Sequence, residues 1–143
     1  FLTYSAFEGF IQLFPSINRY EVEQGFPDYD YTSISQQILS LDRQGRFLDS
    51  LQEQLDNKAR KLKMRMRAFQ QDEAATPLVV SAAIRHVFAH GKLAPNTKDA
   101  NPKKVGAICV LLSDLMLKIM DTEFEKKVMS FHDRIKQEGL KEQ

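Results

Sequence analysis

The chain has 143 residues, with 20 Lys+Arg against 19 Asp+Glu for a formal charge of +1. At that length a single domain spanning 1–143 is expected, and 43% hydrophobic with 27% charged residues excludes a disordered chain. The charge balance excludes a uniformly basic nucleic-acid coat and a uniformly acidic tail, while leaving room for local patches.

Hydrophobic periodicity is helical almost throughout. Residues 1–14 predict a helix, with Leu2, Ala6, Phe7, Phe10, Ile11 and Phe14 apolar and Pro15 ending it. Residues 15–32 hold two prolines, Gly25, three tyrosines and four acids, and read as a long loop that covers or binds something. A short helix is expected over 33–42 around Ile34, Ile38 and Leu41, before Gly45. The clearest long helix spans 46–70, on the stripe Phe47, Leu48, Leu51, Leu55, Ala59, Leu62, Met66 and Phe69. Thr76-Pro77 is a helix start, with Thr as N-cap and Pro at the first position, and Gly91 is a natural stop. Asn101-Pro102 repeats the start signal. The last segment, 102–138, reads as one long helix or as two re-starting at Asp121-Thr122. The expected architecture is an all-α bundle of four to five helices, with apolar faces wide enough to support a dimer.

Cys109 is the only cysteine, so neither an internal disulfide nor a Cys-based zinc cage is possible, and its apolar surroundings read as core. That usage fits a cytoplasmic, reducing compartment. No apolar stretch reaches the ~18 residues that cross a bilayer. The opening residues lack a basic n-region and carry Glu8, so they are not a signal peptide. They also lack a methionine, so the chain is expected to be a trimmed product with sequence missing upstream.

Six cations, Lys58, Arg60, Lys61, Lys63, Arg65 and Arg67, fall within ten residues without an acid among them. Such crowding costs a little unless a polyanion lies alongside. On this feature alone it reads first as a solvated helix face, and in the functional alternative as a phosphate-contacting stripe. Lys92, Lys98, Lys103 and Lys104 form a second basic zone.

The stretch Arg85-His86-Val87-Phe88-Ala89-His90-Gly91 puts two histidines and an arginine at a helix end. Three readings compete. His86 and His90, at i and i+4, share a face as zinc ligands do, but Val87 stands where a zinc protease needs glutamate, and no third ligand is visible. His90 also suits the negative end of the helix dipole without any chemistry. Arg85 and His90 together suit phosphodiester cleavage. Imidazole moves protons near neutral pH, guanidinium grips phosphate oxygens, and RNA brings its own 2′-OH nucleophile. On a regular helix these two residues do not share a face, so convergence calls for a loosened helix end, a long arginine reach or a second subunit.

The heptapeptide resembles the signature of the HEPN (higher eukaryotes and prokaryotes nucleotide-binding) superfamily, with His86 in the polar position and an Ala-His-Gly ending. Leu2 to Glu8 is similar to an early helix of that family, which often carries a small-apolar-Glu pattern. The resemblance implies an all-helical homodimer with a composite site and metal-independent endoribonuclease activity, in toxin–antitoxin or other defence systems. It implies Arg85 on the scissile phosphate, His90 as acid or base, and His86 orienting the site, with Glu8 nearby. RNA would follow Lys58, Arg60, Lys61, Lys63, Arg65, Arg67 and Lys92. No cofactor is implied, and an antitoxin or nucleotidyltransferase partner is compatible. The alternative is a non-catalytic HEPN-like dimer binding RNA, nucleotide or a partner protein. A third is an unrelated helical dimer with structural histidines.

Overall fold

Tyr4, Phe7 and Ile11 recur at helical spacing and are all buried on one face of α1 (Leu2–Ile11). The computed structural model describes residues 2–17, 26, 28–73, 75–91 and 100–141, and every regular element among them is helical. After α1 come α2 (Thr32–Leu41), α3 (Arg46–Gln54), α4 (Arg60–Gln70), α5 (Leu78–Ala89) and α6 (Pro102–Lys141), with a 3-10 turn at Asn57–Ala59. The all-α expectation holds, with six helices among the described residues.

α1 stops short of Pro15. Turn bonds from Leu13 N–H to Phe10 O (3.0 Å) and Phe14 N–H to Ile11 O (2.8 Å) tighten the chain first. Its buried face leaves Leu2 and Ala6 exposed, contrary to the stripe expected for 1–14. Of the 15–32 segment, residues 18–25 and 27 lie outside the described residues. Phe26 is buried among the rings of Phe7 (5.8 Å), Phe14 (6.0 Å) and Tyr29 (6.4 Å). Tyr31 donates its hydroxyl to Phe26 O at 2.6 Å, and burial pushes its phenol pKa upward. This part of the loop covers the core.

The single helix expected over 46–70 is broken. Leu55 turns extended (φ −68°, ψ 127°), and the Asp56 carboxylate accepts from Ala59 N–H at 3.0 Å, capping the 3-10 turn that leads into α4. The apolar stripe passes through the break intact, with Leu51, Leu55, Ala59, Met66 and Phe69 all buried. Periodicity alone therefore hides the corner. α3 starts on a built cap: Gly45 sits at φ +66°, and the Asp42 carboxylate accepts from Phe47 N–H (3.1 Å) and Leu48 N–H (3.0 Å). α4 ends in a Schellman turn, with Glu73 N–H on Ala68 O (2.9 Å) and Asp72 N–H on Phe69 O (3.2 Å). Asp72 holds φ +56° there, a conformation that glycine adopts more cheaply.

α5 is the centre of the fold and packs against α1, α3, α4 and α6. Leu78, Val79, Val80 and Ser81 are buried in succession, so its first turn is enclosed on every side. The carbonyls of Thr76 and Pro77 accept from Val79 N–H (3.1 Å) and Val80 N–H (3.0 Å) and open the helix at Leu78, with Pro77 rather than Thr76 in the cap position. Its last turn surfaces, with Phe88, Ala89 and His90 exposed. Gly91 stops it at φ +65°.

Asn101 caps α6 as its sequence predicts, accepting from Lys103 N–H on its side chain (3.0 Å) and from Val105 N–H on its carbonyl (3.0 Å). α6 is one helix of 40 residues, or roughly 60 Å, with no re-start at Asp121-Thr122. Ile108, Leu112, Leu115, Met116 and Ile119 bury its first half. Tyr29 O–H to Glu123 Oε1 (3.0 Å) and Lys127 Nζ to Leu13 O (2.7 Å) tie down its middle. Residues 128–140 are exposed. Phe124, Phe131 and Ile135, from the expected apolar stripe and its continuation, are 54%, 58% and 52% exposed. Cys109 is half-buried on α6, and desolvation pushes its thiol pKa up. Among the described residues no helix is long and apolar enough to cross a membrane.

Candidate functional site

The enclosed start of α5 fixes the position of its exposed end, where the charged and titratable side chains collect. Arg85 is half-exposed and donates from Nε to Glu8 Oε2 of α1 at 3.2 Å. Glu8 reaches it because it borders the buried Tyr4–Phe7–Ile11 face. Solvent reaches both groups, so this pair adds little stability and serves mainly to orient the guanidinium. The crevice beside Arg85, lined by Tyr4, Ser81, Ile84, Cys109 and Met116, holds about 30 Å³ and is too small for a nucleobase.

His86 and His90 point elsewhere. Their rings lie 4.6 Å apart, centroid to centroid, as the i, i+4 spacing predicts. His86 Nε2 stands 3.7 Å from Asp56 Oδ1, at the corner between α3 and α4. Partial desolvation pushes the Asp56 pKa up but is outweighed. The N–H of Ala59, His86, the N–H of Lys58 and His90 together hold the carboxyl below its ordinary value. The His90 N–H closes on His86 O at 3.3 Å, and Gly91 N–H on Phe88 O at 2.9 Å, so the α-helical ladder reaches His90 and then tightens into an i→i−3 turn at Gly91.

Arg85 and the two histidines take different partners. Arg85 is partnered from α1, while His86 and His90 face Asp56 on the other flank. Of the three predicted site residues, the structure groups His86 with His90 and separates Arg85. Glu8 is beside Arg85, as the sequence suggested. Asp56 was not expected at all. It lies far upstream, and its only sequence signal is an acidic residue in N-cap position before Asn57-Lys58-Ala59.

The basic run begins just after Asp56. Lys58, Arg60, Lys61 and Arg67 are exposed, while Lys63 and Arg65 are half-buried. The run is thus split between a 3-10 turn and α4, and only part of it faces solvent fully. Lys92 and Lys98 lie outside the described residues, and Lys103 and Lys104 are exposed at the start of α6. No family model, curated protein or solved structure matches this chain.

Proposed function

We propose that this chain is a metal-independent endoribonuclease of the HEPN type, working as a homodimer whose site is shared between subunits. The observation that carries the reading is the end of α5. It presents Arg85, His86 and His90 at the surface, with Glu8 of α1 against the guanidinium. Histidine takes the 2′-OH proton as that oxygen attacks phosphorus. Arg85 neutralises the crowded phosphorane, and a protonated histidine returns a proton to the departing 5′ oxygen. The products are a 2′,3′-cyclic phosphate and a 5′-hydroxyl, with no metal in the balance.

Arg85 and His90 take different partners within one chain, so this reading calls for a second subunit, and the exposed row Phe124, Val128, Phe131 and Ile135 supports one. Its steps of four, three and four match a helix-pairing seam. Exposed cations from Lys58 onward suit an RNA backbone, and Lys92 joins them in this reading. A role in defence or toxin–antitoxin systems, and an antitoxin or nucleotidyltransferase partner, follow from the sequence resemblance. The second reading, a non-catalytic dimer that binds RNA, nucleotide or protein, is favoured by the Glu8 contact that already engages Arg85.

Incubation with total RNA in EDTA tests both. Cleavage that survives chelation and disappears in Arg85→Ala and His90→Ala supports the ribonuclease. RNA retention without cleavage supports the second reading.

A further inference from the structure

We propose that Asp56, His86 and His90 form a binding site for a divalent transition-metal ion of the Zn²⁺ and Co²⁺ class. Sequence spacing offers only the two imidazoles, which is too few for a site. The corner between α3 and α4 supplies the third group. One ligand atom from each of the three residues lies within 4.8 Å of the other two. Ligand atoms around a tetrahedral zinc stand about 3.4 Å apart. The 3.7 Å between Asp56 Oδ1 and His86 Nε2 is already close to that separation. His90 must move in by up to about 1.4 Å on that scale, and it lies at the exposed end of α5.

The surroundings are those of a ligand set. Asp56 is held by Ala59 N–H at 3.0 Å, an outer-shell contact that fixes the carboxylate. His86 is set by the central helix, and His90 follows one turn later. Two nitrogens and one carboxylate oxygen favour borderline ions over Mg²⁺ or Ca²⁺, which prefer all-oxygen shells. Three protein ligands leave a fourth position for water or an anion. The site shares His86 and His90 with the proposed ribonuclease, and a bound ion would occupy the lone pair that proton transfer needs. Metal binding itself requires no RNA, so the two readings fail separately.

The test is titration of the full chain, free of any polyhistidine tag, with Co²⁺ followed by visible absorption, then competition with Zn²⁺ and Mg²⁺. One equivalent should bind, with bands of a tetrahedral or five-coordinate ion, displaced by Zn²⁺ and not by Mg²⁺. Asp56→Asn and His90→Ala should each weaken binding by at least about 10-fold. Metal-free thermal melts confirm that both variants fold. His90 is exposed, so His90→Ala decides even where Asp56→Asn does not fold. Absence of saturable binding, or binding that Asp56→Asn folds but leaves unchanged, or that His90→Ala leaves unchanged, overturns the site.

Discussion

The separation of Arg85 from His90 makes a subunit-mixing experiment informative. Five residues on a regular helix turn by about 140° and climb ~7.5 Å. Glu8 engages Arg85 on one flank of α5 while Asp56 faces the histidines on another. On the proposed reading, a working pair takes its arginine from one subunit and its histidine from the other. Arg85→Ala and His90→Ala homodimers each lose both pairs. A heterodimer of the two variants keeps one pair of two, Arg85 from one chain and His90 from its partner. Co-expression with two different tags and sequential purification isolates that species. It should cleave RNA in EDTA at about half the wild-type rate per dimer, and a random mixture, half of it heterodimer, at about a quarter. A purified heterodimer as inactive as its parents refutes the shared site. So does a wild-type monomer that cleaves at full rate under dilution.

Three further outcomes are expected. Phe131→Asp should abolish dimerisation by light scattering without lowering the melting temperature of the dilute chain. A buried Phe contributes about 1.5–3 kcal/mol and a two-fold interface loses it twice, so the dimer constant should weaken on the order of 100-fold or more. Asp72→Gly should stabilise the fold by about 0.5–1 kcal/mol in urea melts, because glycine relieves the positive φ in the Schellman turn. Tyr31 has a folded-state phenol pKa above its unfolded value, so its contribution is present below about pH 10 and drains away as pH rises beyond it. Tyr31→Phe should flatten the alkaline limb of stability against pH. An identical limb in the variant would assign that loss to other groups.

What the sequence made legible follows the range over which each cause acts. Asn101-Pro102 and Thr76-Pro77 start helices through contacts within one turn; α6 begins where its residues place it, and α5 begins one residue later than its signal, at Leu78. Gly91 stops α5 for the same local reason. The corner at Leu55-Asp56 is also local, yet the stripe of buried side chains runs through it, so the stronger signal concealed the weaker one. α1 was mis-faced because Leu2 and Ala6 are apolar but exposed, while Tyr4 is buried in the core. The candidate site divides in the same way. The His86–His90 pairing is written in a four-residue spacing. Asp56 joins it only through the packing of α3 on α5, and Glu8 meets Arg85 across 77 residues of sequence. The exposed row on the far half of α6 has ordinary core spacing, and only the end of the surrounding helices reveals that nothing among the described residues covers it.

The enclosure of the first turns of α5 separates two jobs along one short rod. Its root is gripped from four directions, so changes there register as loss of folding. Its tip carries Arg85 against Glu8 and the histidines beside Asp56, with His90 fully at the surface. Alterations at the tip consequently report on chemistry with little confounding from collapse, and drift in sequence has room to retune that end while the scaffold stays put.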